Sequence, residues 1–257
     1  MKVALCLSGQ PRVALETFAN IKKYIIEPNN ADVFIHLNYD KNVNYIERSH
    51  LDNRVCTYPE NIDDIVEKLY SPKRMLVETP KVFNNPNIKL TDLRIMRMRE
   101  MNKHKQMTRE EMIFHTKKQF MSMYYSIYKC NELKELYANE NGFVYDYVIR
   151  LRFDALIDRE LDCSKLDPNY IYYQELSQPD KLISDWINVG SNMIMNVYAS
   201  IFLNLEYLNS FMFFKKEERL ENTYEESNEC AGGVEYNIRD IMTLFKIPSK
   251  HFNICRL

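Results

Sequence analysis

The stretch VALCLSGQPRVALETFANIKKYIIEPNNADVFIHL, residues 3–37, decides the fold class of this chain. Its first apolar run, VALCLSG, ends at a glycine and is followed by Gln-Pro-Arg, which is typical of a buried strand that enters a turn. Leu15, Phe18, Ile21 and Ile25 then recur at helical spacing, before a second apolar run, ADVFIHL. Strand, helix and strand within about forty residues form a βαβ unit, so we expect the two strands to be parallel.

The rest of the chain continues this alternation of strands and helices. We predict a short helix capped by Asn61, a third strand in RMLVETP, and a long helix that begins near Thr108 with the capping box TREE. Further strands are predicted in YDYVIRLRFD, NYIYY and FNICRL, and further helices after DWINVGSN and after the glycine pair of CAGGVEYN. The charged, Met-rich residues 89–106 are interpreted as an excursion, either a lid or a solvated face. The chain is therefore predicted to be one α/β domain, residues 1–257, with a mostly parallel sheet flanked by helices.

The composition limits the partners and the compartment that we expect. Of 257 residues, 46% are hydrophobic and 27% are charged, which is normal for a soluble globular protein. The net charge of −2 argues against nucleic acid as a partner. No apolar run reaches the length of about 18 residues that a membrane-spanning helix needs. The six cysteines contain no CxxC pair, so we expect a cytoplasmic protein with reduced thiols.

Charged residues interrupt the apolar strand YDYVIRLRFDALID, residues 145–158. Side chains alternate in direction along a strand, so Arg150, Arg152 and Asp154 share one face and the apolar residues between them share the other. Ligands of open α/β sheets bind beyond the carboxyl ends of the strands. We therefore interpret this face as a site for an anionic ligand, with an internal Arg–Asp salt bridge as the alternative.

The loop SGQPR, which follows the first strand, is the second candidate site. Ser8 and Gly9 offer backbone N–H groups, and Arg12 offers a guanidinium group to a phosphate or a base carbonyl. The alternative is a tight turn in which Arg12 covers the surface of the following helix.

Five segments occur in a characteristic order: VALCLSGQPR, ADVFIHL, QFMSMYYSIYKCNEL, YDYVIRLRFD and DWINVGSNMIMNVY. In order and spacing they resemble a family of small glycosyltransferase-like proteins of bacterial surface-polysaccharide loci and large DNA viruses. The resemblance covers most of the chain and is weakest at residues 81–105. It implies a GT-A-like, Rossmann-like fold, with a nucleotide-sugar-binding half at residues 1–155 and an acceptor-binding half at residues 156–257.

The resemblance also implies a reaction and a metal. GT-A enzymes transfer a sugar from a nucleotide-diphosphate donor, here of the UDP or GDP type, to a glycan or sugar acceptor. Their DxD motif holds Mn²⁺ or Mg²⁺ on the donor diphosphate. The matching tripeptide here is Arg152-Phe153-Asp154, so Asp154 is the expected metal ligand, joined by His251 unless that histidine is a surface residue. Alternatively, Arg152 itself supplies positive charge to the diphosphate.

Other positions acquire expected roles in the same way. Asp185 stands where GT-A enzymes carry the general base of an inverting transfer, and Glu235 is the second candidate. The alternatives are a helix cap for Asp185 and an interaction with the helix dipole for Glu235. Trp186 is expected to stack on a sugar or to belong to the core. Gln119 is expected to contact the nucleotide or the loop at the strand end.

Two further functions fit the same residues. Because the DxD motif is degraded, the chain is alternatively a catalytically weakened nucleotide-sugar-binding protein. A nucleotidyltransferase shares a related fold, but SGQPR has a single glycine and no lysine, unlike the phosphate loop of that class. The sequence does not determine the donor sugar, the acceptor or the oligomeric state.

Overall fold

The computed structural model describes residues 1–43, 45–47, 55–83, 85, 87–88, 108–174, 183–218, 234–252 and 254–256. The Met-rich segment interpreted above as an excursion lies outside the described residues.

The described residues form eleven strands: β1 (Val3–Gly9), β2 (Asp32–Asn38), β3 (Tyr45–Glu47), β4 (Val55–Thr57), β5 (Arg74–Glu78), β6 (Tyr147–Leu151), β7 (Leu156–Ile157), β8 (Ile171–Gln174), β9 (Ile187–Ser191), β10 (Ser249–Phe252) and β11 (Cys255–Arg256). The longer helices are α1 (Ala14–Ile21), α2 (Ile62–Tyr70), α3 (Arg109–Glu140), α4 (Asn192–Ala199), α5 (Ile201–Glu218) and α6 (Val234–Leu244). Helix α1 continues through a π-helical turn, Lys22–Ile26, and a last α-turn, Glu27–Asn29. A short 3-10 helix spans Cys163–Lys165.

Seven strands form one sheet in the order β10-β8-β9-β6-β1-β2-β5. Strand β1 lies between β2 and β6 and is parallel to both. Strands β5 and β10 pair in parallel with β2 and β8, whereas β9 is antiparallel to its neighbours β6 and β8. This mostly parallel sheet, flanked by helices, confirms the predicted Rossmann-like α/β architecture and is consistent with a GT-A-like fold.

Alternating residues of β1 belong to two different cores, one on each face of the sheet. Leu5 and Leu7 pack in the core that contains Ile21 of α1 and Ile62 of α2. Cys6 packs in the other core, which is covered by α3, α4 and α6. This alternation follows from the period of two in a strand, and it explains why β1 is apolar throughout.

The order of the sheet also locates its ligand-binding edge. After β1, the chain adds β2 and β5 on one side and then returns to place β6 on the other side. Between β1 and β6 the order therefore changes direction, and parallel sheets bind ligands in the crevice at such a switch point. The loops that follow β1 and β6 are the two loops that the sequence singled out.

Most of the predicted elements are confirmed. Helix α3 begins with the predicted capping box, in which the Glu111 N–H donates to Thr108 Oγ1 at 3.2 Å and the Thr108 N–H donates to Glu111 Oε2 at 2.8 Å. No strand was predicted within DWINVGSN, which contains strand β9. Strand β10 was not predicted either. Among the helices of the described residues, none is both long and apolar enough to cross a membrane.

Candidate functional site

The loops that follow β1 and β6 meet through an ion pair. Strand β1 ends at Gly9, whose φ of 122° is readily adopted only by glycine. Arg12 follows with a φ of 44°, in the left-handed region, and its Nη1 donates to Asp154 Oδ2. The interpretation of Arg12 as a cover for the helix surface is thus not what the structure shows, because its side chain crosses to the β6 loop.

Arg152 links both candidate carboxylates. Its Nε and Nη2 donate to the two oxygens of Asp154, each at 2.8 Å, in a bidentate pair. Its Nη1 donates to Asp185 Oδ2 at 3.0 Å. The guanidinium carbon lies 5.4 Å from the ring centre of Trp186, so the cation also stacks near an aromatic face. Arg12, Arg152, Asp154 and Asp185 together form one network, which we call the rim cluster.

Electrostatics hold the Arg152–Asp154 pair in its charged form. Burial alone raises the pKa of Asp154, but the neighbouring Arg152 and Arg12 outweigh it and hold the pKa well below its usual range. Burial likewise lowers the pKa of Arg152, but the carboxylates of Asp185 and Asp154 raise it above its usual value. The predicted internal salt bridge therefore exists, and it lies at the edge where a ligand would bind.

Arg150 has different surroundings from the two arginines of the rim cluster. It is 2% exposed, and within the described residues its Nε and Nη1 have no hydrogen-bond partner. The side chains of Ser8, Asn188 and Tyr198 also carry buried oxygen atoms without a partner there. We call Ser8, Arg150, Asn188 and Tyr198 the inner cluster.

The inner cluster lies next to the rim cluster. Arg150 is opposite Asn188 in the pairing of β6 with β9. Burial raises the pKa of Tyr198 to about 12. The positive charge of Arg150 lowers this pKa, and the negative charge of Asp185 raises it. The Tyr198 hydroxyl is thus close enough to Arg150 and Asp185 to respond to both. Arg150 precedes Arg152 by two residues, which places the inner cluster beside the rim cluster.

A divalent metal ion does not fit the rim cluster in this arrangement. Asp154 Oδ1 accepts one hydrogen bond and Oδ2 accepts two, all from guanidinium groups, whose positive charge repels a metal cation. The described residues contain no group of three or more His, Cys, Asp and Glu side chains placed to hold a metal. His251 lies on β10, three strands from β6, where its ring contacts Tyr173.

The remaining predicted residues are distributed as follows. Asp185 precedes strand β9, so the alternative of a helix cap does not apply to it. Gln119 is exposed on α3, and its Nε2 pairs with His115 Nε2 of the same helix at 2.9 Å. Glu235 lies in the first turn of α6, and its side chain is outside the described positions. Neither Gln119 nor Glu235 is brought to the rim cluster by a described contact.

His36, near the end of the predicted strand ADVFIHL, has two interpretations, a contact to the nucleotide or a structural histidine with satisfied hydrogen bonds. Its Nδ1 pairs with Ser126 Oγ at 2.6 Å, and its Nε2 pairs with Glu78 Oε2 at 2.9 Å. The ring is 1% exposed, so the structural interpretation is confirmed.

Sequence reasoning missed Asn188 and Tyr198. The available signal for Asn188 was an amide within the short apolar run INVG, which becomes informative only once that run is known to be a strand. Tyr198 lies in an apolar helical stretch, where an aromatic residue is ordinary, and nothing in the sequence distinguishes its hydroxyl.

Comparisons with solved structures include a loose similarity to a glycosyltransferase. Neither a family model nor a curated protein matches the sequence. The chain is similar to the apo form of the glycosyltransferase GlyE from Streptococcus pneumoniae TIGR4, with 14% identity and a TM-score of 0.38. That match covers 97% of this chain and 45% of the other, so this chain spans less than half of that protein.

Proposed function

We propose that this protein is a nucleotide-sugar-dependent glycosyltransferase, which moves a sugar from a UDP- or GDP-type donor to a glycan or sugar acceptor. The observation that carries the proposal is the rim cluster, two guanidinium groups and two carboxyl groups at the switch point between β1 and β6. Switch points of parallel sheets bind nucleotides, and guanidinium groups bind phosphate oxygens.

Arg12 and Arg152 are the proposed ligands of the donor diphosphate. Their side chains are 24% and 19% exposed, so both reach the surface of the crevice. A guanidinium group has five N–H donors, and among the described residues Arg12 forms one ion pair, with Asp154. Its other donors are available to a phosphate. In this proposal, the guanidinium groups stabilise the leaving diphosphate by donating hydrogen bonds to its oxygens.

Asp185 is the proposed general base. An oxygen of its carboxylate takes the proton of the acceptor hydroxyl, while that hydroxyl oxygen forms a bond to the anomeric carbon of the donor sugar. The bond from the anomeric carbon to the diphosphate breaks, and its electron pair leaves with the nucleoside diphosphate. Attack from the opposite face inverts the anomeric configuration. The neighbouring Trp186 offers an aromatic face to the acceptor sugar.

A titration of nucleotides tests the binding step. Purified protein is titrated by calorimetry with UDP, GDP and their common sugar conjugates, once in EDTA and once in Mn²⁺. We expect one nucleotide diphosphate to bind in EDTA and Arg152→Met to weaken it at least tenfold. Arg74→Met is the matched control, because Arg74 pairs with Glu140 at a distance from the rim cluster. The proposal fails if no nucleotide diphosphate binds under either condition.

Release of the nucleoside diphosphate, measured by chromatography, tests the chemical step. Asp185→Asn keeps similar size and one acceptor oxygen, so we expect donor binding to persist and transfer or hydrolysis to fall by at least a hundredfold. Equal loss of binding and turnover would instead assign Asp185 a role in positioning Arg152.

A nucleotide-sugar-binding protein is the second candidate. One observation favours it: the oxygens of Asp154 and an oxygen of Asp185 are already engaged by guanidinium groups, as in a purely structural network. Donor binding without any release of nucleoside diphosphate, in the presence of glycan acceptors, would support this second function.

A further inference from the structure

The inner cluster contains most of the unpartnered buried polar atoms of the described residues. Among the described residues, seven buried side-chain nitrogen and oxygen atoms have no hydrogen-bond partner. Five of these seven atoms belong to the inner cluster. They are Ser8 Oγ, Arg150 Nε and Nη1, Asn188 Oδ1 and the Tyr198 hydroxyl. Buried polar groups of native proteins are nearly always paired, so such a concentration indicates a site for a missing group.

The fold explains why these four side chains meet. Strand β1 pairs with β6 so that Cys6 is opposite Arg150, and β6 pairs with β9 so that Arg150 is opposite Asn188. Ser8 follows Cys6 by two residues and therefore points to the same face of the sheet. That face is covered by α4, which carries Tyr198.

The charge of the inner cluster requires an anion. An isolated guanidinium group in a protein interior is disfavoured by several kcal/mol unless an anion compensates it. In the rim cluster, Asp154 and Asp185 compensate Arg12 and Arg152. Arg150, which is the more deeply buried, has no such partner among the described residues.

The hydrogen-bonding inventory restricts the anion further. Arg150, Ser8 and Tyr198 offer N–H and O–H donors, which match the lone pairs of a carboxylate. Asn188 Oδ1 is an acceptor, because its Nδ2 already donates to the Ser184 carbonyl at 2.8 Å. An ionised diphosphate has no donor for Asn188, whereas a sugar acid carries hydroxyl groups beside its carboxylate.

We propose that the inner cluster binds the carboxylate of an acidic donor sugar, of the hexuronic acid type, with a ring hydroxyl donating to Asn188. This inference rests on the proposed function, in which Arg12 and Arg152 hold the diphosphate. Arg150 lies on β6 and Arg152 directly follows the end of that strand, so the Cα atoms of the two arginines are about 6.6 Å apart. That spacing places the carboxylate pocket about one sugar ring away from the diphosphate.

A matched pair of donors tests the inference. UDP-glucuronate and UDP-glucose differ only at C6, where one carries a carboxylate and the other a CH2OH group. GDP-mannuronate and GDP-mannose replace them if the chain binds GDP. We expect calorimetry to show at least tenfold tighter binding of the acidic donor. Arg150→Met removes the cation, keeps most of the side-chain length, and should abolish this preference while leaving the affinity for the free nucleoside diphosphate unchanged.

Two controls keep the result interpretable. Because Arg150→Met removes an uncompensated buried charge, its melting temperature should equal or exceed that of the parent. Tyr198→Phe removes only a hydroxyl group and should reduce the preference for the acidic donor without abolishing it. A lowered melting temperature of Arg150→Met, with the donor preference unchanged, identifies a structural cation and overturns the inference.

The remaining outcomes separate this inference from the proposed function. Equal affinity of the parent for both donors overturns the carboxylate pocket and leaves the glycosyltransferase proposal intact. Loss of all nucleotide binding in Arg150→Met also overturns it, because Arg150 would then serve the diphosphate. If no nucleotide binds, sodium glucuronate and glucose are compared by thermal shift. Stabilisation by glucuronate alone, lost in Arg150→Met, supports the pocket even though the proposed function has failed.

Discussion

Asp154→Asn is the substitution that most directly probes the rim cluster. The Asp154 carboxylate accepts two hydrogen bonds from Arg152, each at 2.8 Å, and a third from Arg12. Asparagine keeps one acceptor oxygen but loses the charge and places an NH2 group opposite a guanidinium group. Arg12 then loses its ion-pair partner, while Arg152 keeps Asp185.

The expected loss of stability follows from the burial of the pair. Breaking a buried ion pair by removing one partner costs about 3–5 kcal/mol. Asp154 and Arg152 retain 12% and 19% of their side-chain exposure, so we expect the lower end, about 3 kcal/mol. For a chain of this size, that loss lowers the melting temperature by roughly 6–12 °C.

Urea denaturation at a series of pH values is the assay for Asp154→Asn. The pKa of Asp154 is lower in the folded protein than its ordinary value of 3.8. Its contribution to the free energy of unfolding is therefore complete above pH 3.8 and is lost only as the pH falls below that value. The difference in the free energy of unfolding between the parent and Asp154→Asn should therefore be constant from pH 7 to about pH 5 and should become smaller below pH 4. Asp185→Asn is the matched control, because Asp185 accepts a single hydrogen bond from Arg152, at 3.0 Å. Its free energy of unfolding should therefore fall by less than that of Asp154→Asn.

Two results would refute this reasoning. The first is a loss of less than about 1 kcal/mol at pH 7, which is the size expected of an exposed ion pair. The second is a difference in the free energy of unfolding that already closes above pH 5, because the Asp154 carboxyl group would then have a raised pKa in the folded protein.

Three further substitutions test other parts of the structure. Burial lowers the pKa of His36 despite its bond to Glu78, so stability should fall below pH 6.5 by up to about 1.4 kcal/mol per pH unit. His36→Gln should flatten that slope in urea titrations. Gly190→Ala places a methyl group 2.9 Å from Ile194 Cγ2 and should destabilise by about 1–3 kcal/mol in chemical denaturation, with a smaller loss in an Ile194→Ala background. Thr108→Ala removes a helix cap and should lower the free energy of unfolding by about 1 kcal/mol.

The parts of the fold that local pattern determines were predictable. Strand β1 occupies the predicted residues, and α3 begins at the predicted capping box, because both are set by neighbours in the sequence. Strand β9 was missed for a physical reason. It is short, and Asn188 and Gly190 interrupt its apolar pattern, so only its pairing with β6 and β8 identifies it as a strand.

The candidate site was predictable to the same extent. The sequence predicted that Arg152 and Asp154 lie on one face of a strand; the strand ends at Leu151, and both residues follow it, where they pair with each other and Arg12 joins Asp154. The sequence did not predict which arginines form ion pairs and which do not, because the partners come from distant parts of the chain. Asp185 reaches Arg152 only because the segment after residue 182 returns to pair beside β6.

This division of partners gives the site its charge pattern. The rim cluster balances the guanidinium groups of Arg12 and Arg152 against the two carboxylates of Asp154 and Asp185, so its formal charge is zero. Among the described residues of this face, Arg150 is a buried cation without an ion-pair partner, and it is 2% exposed. An electrostatic interaction is stronger where water is excluded, so an anion gains more at Arg150 than at the rim. The identity of the group that reaches Arg150, rather than the diphosphate at the sheet edge, is therefore expected to decide which donor is selected.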